Sequence, residues 1–278
     1  MKTILVATDG SENSGIALDY GIFLADTLSA SLIGLYVIDI KIIEGPLFDD
    51  ISGFMGLAPS QEFLTLIEKG IDERADAILH DFDKRCRAAG ITPTLKKVTG
   101  IVDSMIVAEG EKADIIILAQ KGEHYPLTGG GLMGSTSEAV VRKSTQPVCV
   151  TPRHYRPISH VGLGYDGSAP AEKALATAAS LCQEGKWPLT VLFVTDASPA
   201  PPHLKDRVDS YLTPLDINYE IRERIGKDEE EILSFVEEDM IDLLVMGAYG
   251  HSRIREMILG STTSYVIRRS PVPVILGR

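Results

Sequence analysis

Short apolar runs alternate along this chain with stretches in which apolar residues recur at helical spacing, and that alternation predicts strands followed by helices. Ile4-Leu5-Val6-Ala7, Leu32-Ile33-Gly34-Leu35-Tyr36-Val37 and Ile115-Ile116-Ile117-Leu118 read as strands. Between them, residues 14–29 place Ile16, Ala17, Tyr20, Phe23, Leu24 and Leu28 on one helical stripe. The strongest helical pattern covers 60–89, with Leu64, Ile67, Ile71, Ala75, Ile78, Leu79, Phe82 and Cys86 in register and Gly90 ending it. A further helix is predicted over 103–112. Strands alternating with helices predict a parallel α/β sheet, and right-handed crossovers place helices on both of its faces.

The pattern then repeats. Ile4 to Ser11 and Val161 to Ser168 are both apolar runs ending in Asp-Gly-Ser, and the distance from Asp9 to Val37 equals that from Asp166 to Val194. Helical stripes over 169–183 and 228–238 answer those over 14–29 and 103–112, whereas the counterpart of 60–89, after Pro202, is much shorter. Gly134 to Pro147 is spaced as Gly260 to Pro273. Two tandem domains follow, 1–153 and 159–278. Residues 43–60, rich in Gly, Pro and Asp with aperiodic Phe48, Phe54 and Met55, read as a lid-like loop or an interdomain packing segment, packing being the simpler role.

Composition narrows the function. A length of 278 residues and a hydrophobic content of 44% let each half bury a core. A formal net charge of −12 argues against nucleic acid, whose binding depends on clustered Lys and Arg. Cys86, Cys149 and Cys182 lack C-x-x-C spacing and suit buried positions in a reducing compartment. Neither a signal-like apolar region nor a membrane-length run is visible, so a cytoplasmic protein with no membrane partner is expected.

The chemistry concentrates where strands end. Leu243-Leu244-Val245-Met246-Gly247-Ala248-Tyr249-Gly250 runs into a loop that opens a helix at Gly260-Ser261-Thr262-Thr263. Glycines let the backbone approach a ligand, and the helix start offers unpaired N–H groups, a positive dipole end and two hydroxyls, a place that favours phosphate. Equally, such glycines serve a tight strand-to-helix connection. The first half has the same phrase in Ala119-Gln120-Lys121-Gly122 and Gly134-Ser135-Thr136, with one glycine lost and the loop lengthened over 123–131.

With Gly247-x2-Gly250-x9-Gly260-Ser261 the chain resembles the universal stress proteins of the UspA type over its whole length, as two tandem copies. The resemblance implies two Rossmann-like (adenine nucleotide alpha hydrolase-like) domains, each a five-stranded parallel sheet of order 3-2-1-4-5. They would form an intramolecular pseudo-dimer through the last strands, near Val148 and Val274, leaving a further homodimer open. It implies a stress-response protein that binds ATP, ADP or AMP, with Mg on the phosphates as an option and at most slow hydrolysis. Asp166 and Val194 would hold the nucleoside, Gly164 and Tyr165 would lie beside ribose or base, and Met246, Gly247, Gly250, Gly260, Ser261 and Thr262 would surround the phosphates. The matching positions of the first half are Ala7, Thr8, Asp9, Val37, Ala119, Gly122, Gly134, Ser135 and Thr136. Tyr165 departs from the pattern, and its ring would either stack on a base or obstruct the pocket. The alternative is an interaction module that binds no nucleotide and docks partners on the paired domains.

Other motifs carry less. Gly129 to Thr136 has P-loop glycine spacing but Ser135 where a lysine is required, which removes that chemistry. Gly162-Leu163-Gly164-Tyr165-Asp166-Gly167 matches a dinucleotide fingerprint, yet Gly162 and Gly164 align with Leu5 and Ala7 inside a strand. The six histidines lack zinc spacing, although His251 flanks the phosphate loop. No catalytic residue or metal ligand is assigned.

Overall fold

The computed structural model describes residues 1–41, 61–122, 134–196, 199–248 and 260–277, with side chains in the helix from residue 61 described from 65 onward. The segment 43–60, Gly250 and His251 therefore lie outside the described residues. The first half runs β1 (Thr3–Thr8), α1 (Glu12–Thr27), β2 (Ser31–Asp39), α2 (Gln61–Ala88), β3 (Thr94–Gly100), α3 (Val102–Gly110), β4 (Ile115–Ala119), α4 (Ser135–Lys143) and β5 (Val148–Thr151). The second runs β6 (Val161–Gly164), α5 (Ala169–Gly185), β7 (Leu189–Thr195), α6 (Pro202–Leu212), β8 (Tyr219–Ile225), α7 (Asp228–Glu238), β9 (Leu243–Gly247), α8 (Ser261–Arg269) and β10 (Val274–Gly277).

All ten strands form one sheet of order β3-β2-β1-β4-β5-β10-β9-β6-β7-β8. Each half is thus a parallel 3-2-1-4-5 unit, and the two join edge to edge. At the join β5 and β10 pair antiparallel, Cys149 opposite Ile275 and flanked by the pairs Val150–Val274 and Val148–Leu276. Joining the last strands hides two edges. The outer edges, β3 and β8, carry ion pairs instead: Lys97 bridges Asp72 and Asp76 at 2.6 Å each, and Arg224 meets Asp239 at 2.7 Å. Charged edges oppose strand addition by another chain.

The strands are apolar on both sides, so each face of the sheet builds its own layer. Ile4, Val6, Ile117, Cys149, Leu163, Val245 and Ile275 pack with α1, α2, α5 and α6 on one face. Leu5, Leu118, Val150, Leu244, Met246 and Leu276 pack with α3, α4, α7 and α8 on the other. Both layers run without a break across the β5–β10 join. Further ties reinforce it: Phe23 of α1 stacks on Trp187 at 5.9 Å, and the Tyr20 hydroxyl accepts from Arg156 N at 3.1 Å in the connecting segment.

Candidate functional site

The Asp-Gly-Ser turns and the described parts of the glycine loops follow the carboxyl ends of the strands, where parallel sheets hold ligands. The Asp-Gly-Ser turns fold identically in both halves for a local reason. Asp9 Oδ1 accepts from Ser11 N at 3.0 Å and Asp166 Oδ1 from Ser168 N at 2.9 Å, which forces the intervening glycines to φ values of +80° and +77°. Ser11 and Ser168 then cap α1 and α5, accepting from Ser14 N at 3.1 Å and Ala171 N at 3.3 Å. These two helix starts are satisfied from within the chain.

The helices after the glycine loops are not. Neither α4 nor α8 has a side-chain cap, because Gly134 and Gly260 occupy the N-cap positions. Among the described residues no side chain caps these first amides, a start that suits water or a ligand. Ser135 and Ser261 are exposed, and Thr136 and Thr262 half-buried, around those amides. A hydroxyl to which the sequence reading gave no role anchors each helix. Ser137 Oγ donates to Gln120 O at 2.9 Å and Thr263 Oγ1 to Ala248 O at 3.0 Å, both from buried positions. The signal was a third Ser or Thr after the glycine in each helix start.

Gly247 and Gly122 hold different places in their loops and have different neighbours. A Cβ on Gly247 would stand 3.0 Å from Ala171 N and 3.1 Å from Pro170 C, so the missing side chain makes room for the first turn of α5. Ala119 holds the matching place beside α1. In the first half a Cβ on Gly122 would stand 2.6 Å from Asp9 Oδ2: loop and aspartate are in close contact there.

Tyr165 corrects an expectation. Its ring is 3% exposed and meets Phe193 edge-on at 5.6 Å, while its hydroxyl donates to Glu172 Oε1 at 2.5 Å. Burial, then Glu172, push the phenol up to about 12. The ring belongs to the core beneath α5, packed against Phe193 and not presented at the surface where it could stack on a base. Met246 is likewise 6% exposed and faces α7 and α8, as does Ala7 its own side of the sheet. A Cβ on Gly164 would make ordinary contact with Met246 Cβ at 3.7 Å, and Val37, Val194 and Thr8 are half-buried at strand ends. Thr8 Oγ1 lies 3.1 Å from Ser14 Oγ.

The two ends also differ in charge. In the second half burial raises the Asp228 carboxyl above its usual range, helped by Glu229, Asp196 and Asp166, so acids gather where β6, β7 and β8 end. In the first half burial lowers Lys121, helped by Arg153 across from it. Among the described residues no group of three His, Cys, Asp or Glu is placed to hold a metal ion.

The profile of the Universal stress protein family matches residues 1–152 and 203–278. The chain belongs to the universal stress protein family. Universal stress protein Slr1230 of Synechocystis sp. is 32% identical over 289 residues, covering 100% of both chains. Universal stress protein MJ0531 of Methanocaldococcus jannaschii is 29% identical over 153 residues, 54% of this chain and 81% of that one. Among solved structures, a universal stress protein from Archaeoglobus fulgidus DSM 4304 is similar with a TM-score of 0.76 and 25% identity, covering 99% of this chain and 98% of that one. The family match includes the glycine loops of both halves but passes over residues 153–202, which hold β6, α5 and β7 together with Asp166 and Val194. No helix among the described residues is long and apolar enough to cross a membrane.

Proposed function

We propose that this universal stress protein binds an adenine nucleotide, ATP first, chiefly in its second half, as a stress-response protein rather than an enzyme. One observation carries the phosphate reading: α8, like α4, begins at an uncapped glycine with an exposed serine, whereas α5 is capped by its own Ser168; the second half is preferred because Gly122 crowds Asp9 in the first. An open helix start with hydroxyls attracts phosphate. Asp166 and the backbone at Val194 would then take the nucleoside, and Gly260, Ser261 and Thr262 the phosphates. The acids at the ends of β6, β7 and β8 repel a polyphosphate and fit a hard divalent ion, which takes one or two carboxylates and completes its shell with phosphate oxygens. Hydrolysis would be slow, with no general base assigned.

In the first half, the close contact of Gly122 with Asp9 Oδ2 favours a different reading, in which the loop occupies the place of a nucleoside and that half serves as scaffold or takes another ligand. Calorimetric titration of the intact protein with ATP and Mg tests the proposal. Saturable binding weakened by Gly260→Asp and by Ser261→Ala is expected, and no detectable heat or binding by the purified protein would overturn it.

A further inference from the structure

The two halves are connected by a hydrogen bond that only one of them can make. Gln120 follows β4, and its side-chain Nε2 donates to Ile267 O of α8 at 2.5 Å. The partner within the helix for that carbonyl would be the amide of residue 271, four positions on, but Pro271 has no N–H. Gln120 therefore satisfies a carbonyl that the sequence of the second half leaves without a donor. The matching position of the second half is Ala248, fully buried and with no donor to return.

The main chain of Gln120 is held in the first-half loop. Its carbonyl accepts from Gly134 N at 2.8 Å and Ser137 Oγ at 2.9 Å, both at the start of α4, and its N–H donates to Thr151 O at 3.1 Å. One residue thus joins the start of α4 to the end of α8. The helix α8 has nine residues, about 13 Å by its rise, too short to bend appreciably between its two ends. A second contact runs alongside, Arg268 Nη2 to Glu138 Oε2 at 3.8 Å.

We propose that Gln120 is a positioning residue for the second-half phosphate site: it sets where α8 lies along its axis, and so makes affinity there depend on the loop of the first half. This rests on the nucleotide reading given above. Because α8 faces the phosphates and not the nucleoside, the effect is confined to phosphate-bearing ligands.

The test titrates the intact wild-type protein, Gln120→Ala and Gln120→Lys with ATP, and with adenosine by competition. It also follows hydrogen exchange of the 261–270 amides without ligand. ATP affinity should fall about fivefold in Gln120→Ala, the worth of one hydrogen bond. Adenosine affinity should stay unchanged, and Gln120→Lys, whose ammonium can donate to the same helix end, should restore ATP binding. Unchanged ATP affinity in Gln120→Ala overturns the proposal, as does an equal loss for ATP and adenosine, which would mean general loosening. Should the wild type bind no nucleotide, the nucleotide reading fails, and the exchange experiment decides alone: faster exchange across α8 in Gln120→Ala upholds the positioning, unchanged exchange removes it.

Discussion

Gly247 and Ala171 meet backbone to backbone, with no space between the end of β9 and the first turn of α5 for a side chain. Gly247→Ala forces Pro170 and Ala171 back by a few tenths of an ångström, a packing strain of about 1–2 kcal/mol. Urea unfolding should show a smaller net loss, because Ala119 at the matching site shows that the strand itself accepts a methyl and removing a glycine from it returns about 0.5–1 kcal/mol. The reciprocal Ala119→Gly should cost about 0.5–1 kcal/mol, the ordinary penalty of glycine within a strand.

The hydroxyls at the start of α8 divide the labour. Thr263→Val leaves the bond to Ala248 O unmade inside a buried site and should destabilise by about 1–3 kcal/mol. Ser261→Ala, at an exposed position, should stay within about 0.5 kcal/mol of wild type while weakening ATP. Denaturation and titration of the same two variants separate anchor from ligand contact.

Tyr165→Phe keeps the ring and removes the bond to Glu172. Stability should fall by about 1 kcal/mol. ATP affinity should not change, since the ring faces the core; a marked loss of affinity would place the ring at the ligand after all.

Asp114 ties the fourth strand to the first, accepting from Lys2 N at 2.6 Å and Thr3 N at 2.9 Å, and Asp242 does the same for Ser159. The Lys2 bond above all holds the Asp114 carboxyl below its usual range. A lowered folded value means the contribution is complete above the unfolded value of about 3.9 and is lost as pH falls through the folded one. Asp114→Asn should lower the urea midpoint at neutral pH and flatten its decline below about pH 4.

What could be read from the chain was what near neighbours decide. The Asp-Gly-Ser turns close on their own carboxylates, so Asp9 and Asp166 marked strand ends from the letters alone. The helix predicted over 228–238 is Asp228–Glu238, and that over 60–89 is Gln61–Ala88. Strand order followed from the family resemblance, and the sheet agrees with it. Features set by crossings in space were not legible. Gly247 looked like a glycine kept for phosphate, but its immediate neighbour is α5. Tyr165, read beside Asp166, belonged to the pocket; pleat alternation turns it to the opposite face, toward Phe193. Gln120 gave no signal, because its partner carbonyl lies in the other half.

Cys149 lies opposite Ile275, its own counterpart in the repeat, so the β5–β10 contact sets the same strand of each half against itself, as an isologous contact between identical subunits does. Identical subunits must inherit every substitution twice, once on each side. A single chain is free of that constraint. It can keep Gln120 against Ala248, Ala119 against Gly247, and a 28-residue α2 against an 11-residue α6, within one uninterrupted sheet. Within one chain the contact between the halves need not be symmetric: Gln120 of the first reaches Ile267 O of the second, and Ala248 returns no matching side-chain bond.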